Sequence, residues 1–173
     1  MKSYIINPDN LKENELNEKV TRVKCFLISG DHFVLVSAMG GYQLPGGHVE
    51  ENEDLQTAVL REINEETGIE LDLEEITSPF YEIKRYKQNE QTNSKRLSKI
   101  IYYYIKTNKK PNKNKRNLTE HEKLNNFNLK LVHKDLFEQT ILNLYNSEPE
   151  TFNGIIAKEI IEAYNILKEL STI

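Results

Sequence analysis

Apolar residues recur along this chain in two rhythms, one strand-like and one helical. From Val20 to Ile28 the β-branched and apolar content rises through Val23, Cys25, Phe26, Leu27 and Ile28. Phe33-Val34-Leu35-Val36 follows across the turn Ser29-Gly30-Asp31-His32, which predicts a hairpin. Met39-Gly40-Gly41 punctuates the chain, and Tyr42-Gln43-Leu44 is a short extended piece ending at Pro45, which biases Leu44 away from helix. The period then changes. Leu55, Ala58, Val59 and Ile63 repeat at helical spacing to about Thr67, with Asn52 or Asp54 placed to cap the start and Gly68 to end it. Residues 71–80 are acidic and mixed. Residues 81–87 and 99–107 read as strands, the second carrying Ile100-Ile101-Tyr102-Tyr103-Tyr104-Ile105, with a polar stretch at 88–98 between them. A strand-like 127–132, an amphipathic 134–145, a break at Ser147-Glu148-Pro149 and a final helix at 152–170 complete the order. Residues 1–17 read as a polar N-terminal arm. This order predicts an α/β or α+β fold, with one domain over 1–173.

The helix after Pro45 breaks its own pattern. On a wheel centred on Glu62, Glu66 falls about 40° away, inside the apolar stripe, and Glu65 about 60° away on its edge. Buried carboxylates are costly unless paired, and three at i, i+3 and i+4 repel one another. A bound cation relieves both effects, and an all-oxygen cluster suits Mg²⁺ or Mn²⁺. The alternative is a solvated acidic face. The stripe running into Glu62 and Glu66 weighs against it. Ahead of the helix, Gly46 and Gly47 allow a tight turn and close approach of backbone to a ligand.

Charge narrows the partners. A net charge of −4 over 173 residues does not mark a dedicated nucleic-acid binder, although the basic stretch 108–118 leaves RNA or polyphosphate open. The lone Cys25 excludes an intramolecular disulfide and fits a reducing compartment. With no apolar run of signal-peptide or membrane-spanning length, a cytoplasmic location and no membrane contact are the expectations. A homodimer has no sequence signal for or against it.

Gly47, Glu53, Arg61, Glu62, Ile63, Glu65, Glu66, Gly68 and Ile69 fill every specified position of Gly-x5-Glu-x7-Arg-Glu-apolar-x-Glu-Glu-x-Gly-apolar. In this the stretch resembles the signature of the Nudix (MutT-like) hydrolases. The resemblance implies an α/β/α sandwich with a mixed sheet and C-terminal helices. It also implies Mg²⁺- or Mn²⁺-assisted hydrolysis of a nucleoside diphosphate linked to another moiety: an NTP or dNTP, a nucleotide sugar, ADP-ribose or similar. Carried over by position, Glu62 and Glu66 would be metal ligands and Glu65 a ligand or the general base. Gly46 would offer its carbonyl, Arg61 would orient Glu65, and Glu53 would support the site or act as base. Glu120 or Glu122 would supply a further carboxylate. Arg22, Tyr42, Gly47, Lys84, Arg85, Glu122 and Asn126 are candidate substrate contacts. Two alternatives are a nucleotide-binding regulatory module without turnover and an RNA-end pyrophosphohydrolase.

Overall fold

Strand β2, Glu18–Ser29, runs through the middle of the molecule with apolar side chains on both faces, and the other elements are arranged about it. The computed structural model describes residues 1–38 and 40–170, with Ala38 described by its backbone; the punctuation expected at Met39 and the end of the chain at 171–173 lie outside the described residues. Among these residues seven strands form one mixed sheet. The others are β1 (Lys2–Ile6), β3 (His32–Ala38), β4 (Gly41–Gln43), β5 (Tyr81–Asn89), β6 (Ser94–Thr107) and β7 (Asn128–His133). The path is β1-β5-β6-β2-β3-β4, with β7 paired to β3. Pairs β2–β6 and β1–β5 are parallel, and the rest are antiparallel.

Alternation along β2 and β6 splits the core in two, since successive side chains point to opposite faces. Val23, Cys25 and Leu27, with Ile101, Tyr103 and Ile105, pack under helix α1 (Leu55–Thr67) through Ala58, Val59 and Ile63. Phe26, Ile28, Ile100 and Tyr102 face the opposite way. They meet Phe137 and Ile141 of α3 (Lys134–Ser147) and Ala157, Ile160, Ala163, Tyr164 and Leu167 of α4 (Phe152–Glu169). The result is the expected α/β/α sandwich with C-terminal helices. No helix among the described residues is long and apolar enough to cross a membrane.

The structure departs from the sequence reading in four places. Residues 1–17 are not a free arm: β1 pairs along β5, and Leu11 is buried against Tyr86 and Leu97. The polar stretch 88–98 is largely strand, because β5 and β6 pair continuously from Tyr81↔Tyr102 to Asn89↔Ser94. Backbone pairing does not require apolar side chains at a sheet margin. A short helix α2, Glu120–Leu124, precedes β7 where no element was expected; Thr119 and Glu122 form its capping box. The basic stretch is folded against the end of α1, with Asn112 N–H donating to the Thr67 carbonyl and Asn117 N–H to that of Glu65.

Candidate active site

The site is built where β3 leaves β2. Their pairing covers only Leu27–Ser29 of β2, and the loop after β4 takes over the vacated edge. Cys25 N–H donates to the Pro45 carbonyl (2.9 Å), Val23 N–H to that of Gly47 (3.0 Å), and Val49 N–H to that of Thr21 (3.0 Å). Gly46 adopts φ +130°, and a Cβ there would lie 2.2 Å from the Val23 carbonyl oxygen. Only glycine fits so close to the strand. A Cβ on Gly47 would meet Glu62 Oε1 at 2.4 Å, so the same loop is pressed against a carboxylate of α1.

Helix α1 begins at Asp54, whose carboxylate accepts from the N–H groups of Gln56 and Thr57. It ends at Gly68 in the left-handed region, φ 69°. Between these caps the apolar stripe carries Glu62 and Glu66 inward, 7% and 3% exposed, while Glu65 stays at the margin. Arg61 ties the cluster together. Its Nε and Nη2 take both oxygens of Glu53 (2.8 and 2.9 Å), and its Nη1 reaches Glu62 (3.0 Å) and Glu65 (3.1 Å). Nη2 also donates to the His48 carbonyl (2.8 Å). Glu53, held chiefly by Arg61, lies below the usual carboxylate range, whereas burial pushes Glu62 up against the pull of Arg61. Glu66 is pushed up to about 8, first by burial, while Lys24 and the Gly46 N–H (2.7 Å to Oε2) oppose the shift.

Among the described residues no three His, Cys, Asp or Glu side chains converge as a ready-made ion cage. The donors available for a metal are all oxygen: Glu62, Glu65 and Glu66 from one helix face, and the Gly46 carbonyl on the loop packed against it. That set matches a hard divalent cation in kind. One group stands in its midst. Lys24 Nζ donates to the Gly46 carbonyl (2.5 Å) and the Leu44 carbonyl (3.0 Å). Burial lowers the pKa of Lys24, and Glu66 and then Glu62 oppose that.

A cavity of about 610 Å³ opens from these residues. Arg22, Gly46, Gly47, Arg61, Glu62, Glu65, Glu66, Arg85 and Glu122 all line it. Glu53 acts behind it, through Arg61. Tyr42 does not line it but packs against the α3/α4 core, and Lys84 pairs instead with Glu82. Asn126 has positive φ in the turn after α2 and is not part of the lining. Of the two candidate carboxylates near α2, Glu122 faces the cavity and Glu120 does not, although Glu122 is also bonded to Thr119 in the capping box. Sequence reading missed Lys24, His48, which accepts from Arg22 Nε (3.1 Å), and the far wall of Phe152, Ile156, Glu159 and Ile160 from α4. Glu159 is buried there in an ion pair with Arg85. A lysine amid Val23, Cys25 and Phe26, in a strand apolar on both faces, was the available signal.

A model of the NUDIX domain matches residues 18–145. No curated protein matches the chain. Among solved structures, the MutT protein of Methanosarcina mazei Go1 is 19% identical, with 86% of this chain and 96% of that one covered and a TM-score of 0.49. The mutator MutT protein of Bacillus halodurans is 18% identical over 69% of this chain and 72% of its own, with a TM-score of 0.49. A bifunctional NMN adenylyltransferase/ADP ribose pyrophosphatase from Francisella tularensis, complexed with AMP and a manganese ion, is 19% identical. Its match covers 66% of this chain, with a TM-score of 0.44, and spans only 34% of that enzyme's length.

Proposed function

The chain belongs to the Nudix family of pyrophosphohydrolases, and on that premise we propose that it cleaves the pyrophosphate of a nucleoside diphosphate linked to a further group, with Mg²⁺ or Mn²⁺. The observation that carries this is the layout of one cavity. Glu62, Glu65, Glu66 and Gly46 line it together with the apolar side chains of Phe152, Ile156 and Ile160 from α4. Such a cavity suits a ligand with a polyanionic part and a flat, weakly polar part. β1 and α4 lie outside residues 18–145 yet pack on the same sheet and core, which supports reading the chain as one hydrolase domain.

Glu62, Glu66 and the Gly46 carbonyl would hold the divalent cation, which supplies charge neutralisation for the pyrophosphate and a lowered pKa for attacking water. The chain's own groups divide the remaining work. Arg61 fixes the cluster by spanning Glu53, Glu62 and Glu65. Glu53 has both oxygens on Arg61 and accepts the Glu50 N–H as well, so it serves as an anchor rather than a base. Glu65 gives one oxygen to Arg61 and stays accessible at the cavity margin, which favours it as the group that takes the proton from water. Arg22 puts positive charge on the cavity wall, suited to phosphate oxygens, whereas the charge of Arg85 is met there by Glu159.

The test is a panel of NTPs and dNTPs, oxidised dNTPs, ADP-ribose, nucleotide sugars, dinucleoside polyphosphates and capped RNA, with Mg²⁺, with Mn²⁺ and with chelator. Release of phosphate-bearing products from at least one class, abolished by chelator and lowered at least about 100-fold in a folded Glu66→Gln variant, is expected. Binding without turnover across the panel would leave the regulatory module as the better reading. The RNA-end alternative is disfavoured because the basic stretch is partly neutralised. Lys109 pairs with Asp72 and Glu75, and Lys115 with Glu70. A flat salt dependence of RNA binding would remove that alternative.

A further inference from the structure

We propose that Lys24 competes with the divalent cation for the Gly46 carbonyl, so that metal enters this site by exchange with an ammonium already seated there. The inference rests on the metal reading above and concerns this chain's own occupant of that position.

Lys24 projects from β2 into the cavity that holds Glu62 and Glu66. Among the described residues it makes no ion pair within 4.0 Å; its hydrogen bonds there go to two backbone carbonyls, of Leu44 and Gly46. The strongest charges acting on it are nevertheless Glu66 and Glu62. An ammonium bonded to carbonyls, in the field of two carboxylates, occupies the electrostatic place of a metal with the same donors. Glu66 completes the arrangement by accepting the Gly46 N–H, so the two backbone groups of one glycine link lysine and carboxylate.

Ammonium and metal cannot share that carbonyl. An ion bonded to the Gly46 oxygen would face an Nζ bonded to the same oxygen, and a double and a single positive charge so close repel strongly. Lysine is suited to an exchange because its flexible four-carbon stem lets the charge swing away without moving the strand.

Mn²⁺ binding to the full chain without substrate, followed by loss of the free-ion electron paramagnetic resonance signal, tests this. Lys24→Met keeps the stem and removes the charge, and it should bind Mn²⁺ at least about tenfold more tightly than wild type. Arg22→Met removes a nearby cation that does not touch Gly46, and it should change affinity by less than about threefold. Unchanged or weaker binding by Lys24→Met overturns the proposal, as does equal tightening by Arg22→Met, which would indicate a general field effect. Absence of Mn²⁺ binding in wild type overturns the metal reading itself and this inference with it. Should Lys24→Met fail to fold, a crystal structure of wild type with Mn²⁺ decides. Nζ beyond hydrogen-bond reach of the Gly46 oxygen is expected; Nζ still bonded there beside the metal overturns the exchange.

Discussion

At the scale of single residues, the two loop glycines are constrained by different neighbours and should fail differently when replaced. Gly46→Ala forces a side chain onto φ +130° and onto the Val23 carbonyl, which is backbone and cannot step aside. A loss of roughly 2–3 kcal/mol or more in urea denaturation is expected. Gly47→Ala meets only the Glu62 carboxylate, the far end of a flexible side chain, at a residue whose φ is not in the positive region. Its melting temperature should stay within about 2 °C of wild type while turnover falls about tenfold or more, because the displaced group is a proposed ligand. A Gly47→Ala protein with full activity would mean that Glu62 is free to retreat without consequence. Glu62 and Glu66 were legible in the sequence because a helix reports its buried face through a fixed period. Lys24 was not, because β2 is buried on both faces and alternation there cannot say which side opens into a cavity.

At the scale of elements, α1 depends on its first turn. Asp54 accepts from the Thr57 hydroxyl (2.6 Å) and from two backbone N–H groups, and these bonds hold its carboxyl below the usual range, the Thr57 hydroxyl first. The folded pKa is thus below the unfolded one. The contribution of the cap is complete above about pH 4 and is lost as pH falls through the folded value. Asp54→Ala should lower the melting temperature by about 2–4 °C at pH 7, with the gap to wild type narrowing at pH 3. No narrowing would assign the effect to shape rather than charge. Also in the cavity lining, Phe152 of α4 is 61% exposed, so its removal should spare the fold. For Phe152→Ala, steady-state kinetics on the substrate found by the panel should show KM raised about fivefold with kcat little changed, the signature of lost uniform binding. The helical character of α4 was evident from its apolar period. Its place against the site was not, because that depends on how the chain returns across the sheet after β7.

At the scale of the whole molecule, β1 closes the outer edge of β5, and its strand signal, Tyr4-Ile5-Ile6, is too short to stand out from the polar residues that follow it. Deleting residues 2–6 would bare that edge, a template for pairing between molecules. Lowered thermal stability and concentration-dependent association in light scattering are expected; a monodisperse truncated protein would show the edge to be protected without β1. The central strands and the acidic helix were readable from local pattern alone, whereas the folding of the basic stretch onto residues 70–75 required charge partners 34–45 positions away. The docking of the glycine loop on β2 has a consequence of its own. The amides of Val23 and Cys25 are bonded to the loop and not to a neighbouring strand, so their hydrogen exchange reports whether the loop is seated. Those two amides form a label-free gauge of site assembly, readable in the resting protein before any substrate is known.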